Sequence, residues 1–212
     1  MKKNIYYNIL KIIVISESEL ILFFKNTFKK KIVLNINQSD YQFDEDEILE
    51  IILDSNQFDV KVKTEEDNFV STILLEEDIT IPEPVGFGQD SLVETINGTK
   101  KINELSRGSK ILNNKGYESE VLNVYIFKVH CNDSNFPILI KKSNCGINLP
   151  SIDLIISVKN ILKIKKVTLK GRSLILNRKA ILYEFDDFIY YYSLQIENNN
   201  NYFVNGFLVS SV

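Results

Sequence analysis

The stretch NNNNYFVNGFLVSSV, Asn198 to Val212, sets an asparagine run before two short apolar, strand-forming segments joined by Asn205-Gly206. Asparagine and glycine tolerate the positive-φ backbone of a tight turn, so the stretch reads as turn, strand, turn, strand rather than as a frayed polar tail. Upstream, the same grammar recurs in SLVET-ING-TKKI, SKIL-NNKG-YESEVLNVYIFKV, FPILIKK, DLIISV, ILKIKKVTL, SLILN and YYYSLQIE. Short strand candidates with Asn-Gly and Asn-Lys-Gly turns predict an all-β fold built from hairpins. KINELSRGSK is expected as a tight turn feeding the next strand, and His130 as part of a loop.

A division is expected near residue 85, where Pro82 and Pro84 take two of the four prolines and Gly86 and Gly88 follow. Before it, KKIVLNI, FDVKVK and FVSTILLEE are rich in β-branched and aromatic residues, with TEEDN as a hairpin loop. DEDEILEIILDS suits a short helix or a strand equally. The reading is therefore mainly β: a small N-terminal β-rich domain of unknown type over residues 1–84, with at most one or two helices, and an all-β domain over 85–212.

Composition narrows the function classes. The chain has 212 residues, 44% of them hydrophobic, enough to bury real cores. A formal net charge of -3 gives no basic excess to attract phosphate backbones, so nucleic acid is not an expected partner. The start MKKNIYYNILKIIVIS is basic then apolar, but Lys11 interrupts it and SESE replaces a small-residue cleavage site, so no signal peptide is read. No uncharged apolar run reaches a bilayer-spanning length of about 18 residues. The chain is expected to be soluble and intracellular, and its two cysteines, Cys131 and Cys145, form no secreted-type disulfide framework.

Taken in order, GFGQDSLVETINGTKKINELSRGSKILNNKG, PILIKKSNCGINLPSIDLIISVKNILKI and YYSLQIENNNNYFVNGFLVSS resemble the Hint fold of hedgehog proteins and inteins. The likeness covers about residues 86–212 and is nearest to the compact bacterial and viral type in which the module ends the chain. It implies that the last strand returns beside the first, so that a chain ending at Ser210-Ser211-Val212 stops at the edge of the fold with no downstream segment to splice. Cleavage between Val85 and Gly86 is the remaining option that the family implies.

The family's chemistry needs a Cys or Ser at the first position to attack the preceding carbonyl, and Gly86 stands there. Its Thr-x-x-His motif, which strains and protonates the scissile amide, corresponds to Ser157-Val158-Lys159-Asn160, and Asn160 cannot donate a proton as imidazolium does. The histidine before the Asn-Gly segment corresponds to Asn200, and the closing His-Asn pair to Ser210-Ser211. The chain's one histidine, His130, lies away from all of these motifs. Strand and turn pattern are kept while every catalytic position is changed.

Other readings are bland by comparison. Ser91 could act as a displaced nucleophile, but it reads as a strand residue with no histidine to activate it. His130, Cys131 and Cys145 lack metal-ligand spacing, and Asp44 to Glu47 lack the glycine and distal glutamate of a calcium loop. Neither metal nor cofactor is expected. Tyr190, Tyr191 and Tyr192 alternate faces in a strand and read as packing. The expectation is thus a non-enzymatic, Hint-like structural or interaction scaffold with protein partners or self-association. The AT-rich residue usage suggests a giant-virus virion or assembly component. The alternative is self-processing near Val85-Gly86 through Ser91. A small-ligand or carbohydrate-binding module would need a concave pocket lined with aromatics.

Overall fold

The computed structural model describes residues 9–15, 19–25, 32–36, 38–44, 47–53, 57–64, 76–80, 83–130, 134–164, 167–185 and 187–212. They form two compact units, Met1–Pro82 and Glu83–Val212. Strand dominates both, as the abundance of β-branched and aromatic residues and the scarcity of long 3.6-period patterns require.

The first unit contains β1 (Ile9–Val14), β2 (Leu20–Lys25), β3 (Ile32–Ile36), β4 (Ser39–Phe43), β5 (Ile48–Leu53), β6 (Gln57–Thr64) and β7 (Glu76–Thr80). β2 pairs antiparallel with β1 and β5. β3 pairs with β4 and β6, and β6 with β7. Ile48 to Leu53 therefore takes the strand alternative, and alternation decides it: Ile51 is buried while Ile48 and Ile52 are exposed. No helix occurs among the described residues of this unit. TEEDN, apart from Thr64, and the apolar part of FVSTILLEE lie outside the described residues.

The second unit contains β8 (Leu92–Thr95), β9 (Gly98–Lys101), β10 (Lys110–Leu112), β11 (Glu118–His130), β12 (Pro137–Ile140), β13 (Leu154–Ser157), β14 (Ile161–Ile164), β15 (Val167–Lys170), β16 (Ile181–Leu182), β17 (Phe188–Ile196), β18 (Asn201–Val204) and β19 (Phe207–Ser210). One sheet runs β15-β14-β19-β18-β8-β9 and another β13-β12-β16, while β11 pairs over most of its length with β17. β18 and β19 form the hairpin that Asn205-Gly206 foretold, with φ of 49° and 85° at the two turn residues. Both values are positive, as a two-residue turn matching the strand twist demands. In this hairpin Tyr202, Val204, Phe207 and Val209 are buried while Asn201 and Phe203 are only partly covered, so one face supplies core.

Three expectations are corrected. SLILN is not a strand: Gly171–Leu176 is a short helix that buries Leu174 and leaves Leu176 exposed. A three-residue apolar run carries no periodicity able to separate the two states. ILKIKKVTL is not one strand but the antiparallel pair β14 and β15. His130 is not in a loop; it ends β11 opposite Phe188, whose ring it meets edge-on at 6.3 Å. Among the described residues no helix is long and apolar enough to cross a membrane.

Candidate functional site

The site is built around Pro84 to Gly88, where the second unit begins. Phe87 bridges two strands, exchanging backbone hydrogen bonds with Tyr192 of β17 (3.0 and 2.8 Å) and standing opposite Ile156 of β13. The Gly88 amide donates to the Ile155 carbonyl at 2.8 Å, and the Ser157 amide to the Gly86 carbonyl at 3.0 Å. Side chains complete the clamp. Asn135 Nδ2 donates to the Pro84 carbonyl at 2.8 Å, and the Ser193 hydroxyl donates to the Val85 carbonyl at 2.5 Å.

Gly86 owes its identity to a close approach rather than to a turn. A Cβ at this position would stand 2.5 Å from the Tyr192 carbonyl oxygen and 3.0 Å from Ser193 Oγ. The Tyr192 oxygen is tied to the Phe87 amide, so it cannot retreat without breaking the strand pairing.

Ser157 is fully buried; its hydroxyl donates to the Asn135 carbonyl at 3.3 Å and accepts the Lys159 amide at 3.2 Å, closing the turn after β13. The Tyr191 hydroxyl donates to the same Asn135 carbonyl at 3.1 Å. Burial holds the Tyr191 phenol far above its ordinary value, so it stays a donor. Asn160 is buried in the turn, with its amide on the Ser157 carbonyl at 2.9 Å and its carbonyl on the Gly171 amide at 3.0 Å. Its side-chain oxygen has no hydrogen-bond partner among the described residues.

The end of the chain reaches the same strand. Ser211 Oγ accepts the Ile196 amide at 2.9 Å, and the Val212 amide donates to the Leu194 carbonyl at 3.2 Å. β17 thus carries the 85–87 segment at Tyr192-Ser193 and the C-terminal residues at Leu194 and Ile196. Gly86, Ser157, Asn160 and Ser211 are gathered around one framework. Asn200 is not: its amide group donates to the Glu197 carbonyl at 3.2 Å in the turn before β18. Ser210 is exposed at the end of β19, opposite Asn201. Ser91 is buried in a separate turn, with its amide on the Gly88 carbonyl and its carbonyl on the Ile102 amide.

Sequence reading missed Ser193 and Asn135. Nothing in YYYSLQIE or in NDSNFP sets them apart, because their importance comes from which distant carbonyl they meet. The chemistry available is polarisation: two side-chain donors sit on consecutive carbonyls, as donors to a developing oxyanion would. General base chemistry is another matter. The His130 end of the β11–β17 pair is four residues along β17 from Tyr192, about 13 Å at strand rise. Cys145 sits half-buried in a loop where burial raises its thiol above the usual value, and Cys131 lies outside the described residues.

Beside the clamp is a hollow of about 270 Å³, lined among others by Asp90, Asp153, Tyr183, Phe185, Phe188 and Tyr190. A concave, aromatic-lined surface is the feature that a ligand-binding reading requires.

No protein-family model matches the sequence, and no curated protein matches it at a significant level. Among solved structures, the fold is similar to the gp41-1 intein at 18% identity and a TM-score of 0.41, over 59% of this chain and 97% of that one. It is also similar to the MchDnaB-1 intein at 8% identity and a TM-score of 0.41, over 60% of this chain and all of the other. Inteins are Hint-type domains, the class to which the sequence pattern bears its resemblance.

Proposed function

We propose that residues 85–212 are a catalytically inactive Hint-like module, with residues 1–84 as a separate β-rich domain, and that the protein works as a structural or interaction scaffold. The observation that carries this reading is the space at Gly86. The position that would bear the nucleophile is closed to any side chain by the Tyr192 carbonyl. Around it, the residues matching the family's motif serve as structure: Ser157 closes a turn, Asn160 ties that turn to Gly171, and Ser211 anchors the chain end to β17. The clamp on Pro84, Val85 and Gly86 holds the peptide at an edge between strands.

Partners are other proteins or a second copy of the chain, and a virion or viral assembly is the setting that the residue usage and the Hint resemblance support. The test is the intact mass of doubly tagged protein followed over days, with and without a thiol nucleophile. One species at full-length mass is expected. Two complementary fragments joining at Val85-Gly86 would overturn the reading, and loss of those fragments in Ser91→Ala or Ser193→Ala would then identify the nucleophile.

A further inference from the structure

We propose that the outer face of β14 and β15, with the helix Gly171–Leu176 that follows them, docks on an anionic lipid bilayer. This goes beyond the scaffold reading and does not depend on it. From Lys159 to Lys179 the sequence has eight lysine and arginine residues and no acidic one, in a chain whose formal net charge is -3. Positive charge is therefore concentrated in one local block instead of being spread over the molecule.

The fold leaves that charge unneutralised. Lys159, Lys163, Lys170, Arg172, Arg178 and Lys179 are among the described residues, and none of them forms an ion pair with a described carboxylate, whereas Lys101, Lys110 and Lys141 each do. A lysine on an edge strand is a common guard against unwanted pairing, and β15 is the edge of its sheet. Lys163 on the neighbouring strand, Arg172 in the helix and Arg178-Lys179 after it fall outside that explanation. A surface with this imbalance is complementary to a polyanion.

Apolar side chains decide which polyanion. The register sets Ile161 opposite Lys170 and Lys163 opposite Thr168, so these four residues share one face, while Leu162 turns to the core. Ile161 on that face is 52% exposed. In the helix, Arg172 and Leu176 stand four residues apart on one side, and Leu176 is 79% exposed. Strand face and helix side thus each present an aliphatic group beside a cation. No aromatic residue or histidine occurs from Lys159 to Lys179, so there is no platform on which unpaired bases could stack. Against a nucleic-acid duplex, the isoleucine and leucine would meet phosphate and water and gain nothing. A bilayer accepts both kinds of group: headgroup phosphates take the cations, and the acyl boundary takes Ile161 and Leu176.

The test sediments the full-length chain, its mass verified as intact, with vesicles of phosphatidylcholine alone or mixed with phosphatidylserine. Binding to the mixed vesicles, release at high salt and no binding to the neutral ones are expected. Lys170→Gln and Arg172→Gln, both at exposed positions and checked for a parental circular dichroism spectrum, should each weaken partitioning about fivefold. Leu176→Ser should weaken it as well. Lys101→Gln, which removes a cation already paired with Asp90, should leave it unchanged. Absence of binding to the mixed vesicles would overturn the proposal, and so would equal binding to the neutral ones. If double-stranded RNA strips the protein from the vesicles and Leu176→Ser binds like the parent, the face is a nucleic-acid surface and the lipid proposal falls.

Discussion

At the scale of single residues, the second unit depends on what Gly86 lacks. Gly86→Ala places a methyl group against the Tyr192 carbonyl, and overpacking of this kind costs about 1–3 kcal/mol. Urea unfolding should show a lower midpoint, and a variant as stable as the parent would mean that the position is open. Ser193→Ala removes the donor to the Val85 carbonyl and should cost about 1 kcal/mol in the same assay. Asp153 makes a pH prediction. The Lys141 ammonium, then the Lys142 backbone amide, hold its carboxyl below the usual range. A lowered folded-state value means that its contribution is complete above the unfolded carboxylate range and is lost as pH falls through the folded value. Carboxyl NMR titration should place the Asp153 midpoint below that of the same group in urea, and the Lys141→Met variant should move it upward.

At the scale of elements, the β18–β19 hairpin shows one side chain serving two levels of structure. Asn205 takes positive φ in the turn, and its Oδ1 accepts the Leu92 backbone amide at 2.6 Å while its backbone amide donates to the Leu92 carbonyl at 2.8 Å. Asn205→Gly keeps the turn geometry but leaves the Leu92 amide without its acceptor, so a loss of about 1–3 kcal/mol is expected from denaturant melts. A neutral result would show that turn conformation alone is what the position needs. The helix Gly171–Leu176 follows a different rule. A Cβ on Gly171 would lie against the Val158 carbonyl, so helix and turn are packed backbone to backbone.

At the scale of the whole molecule, residues Glu83–Val212 contain every element of the clamp. A fragment spanning those residues is expected to fold by itself. It should give a β-type circular dichroism spectrum and a cooperative thermal transition, and a featureless melt would mean that the first unit is needed to complete it. The first unit has fewer residues over which to spread the cost of ordering, so its isolated form is expected to be the less stable of the two.

Local chemistry determined a good deal without any structure. The strand-rich class and the Asn-Gly and Asn-Lys-Gly turns are read from neighbours in sequence, because turn backbone and side-chain period are set within a few residues. Where such signals were too short they failed, as at SLILN and ILKIKKVTL. Tertiary structure alone decided that Ser193 and Asn135, 108 and 51 residues away from their acceptors, would hold consecutive carbonyls beside Gly86. It also decided that Asp90 and Asp153 would share a hollow with four aromatic rings. Contacts between such distant residues leave no periodic trace in one sequence; they exist only because sheet pairing brings separate strands to the same place.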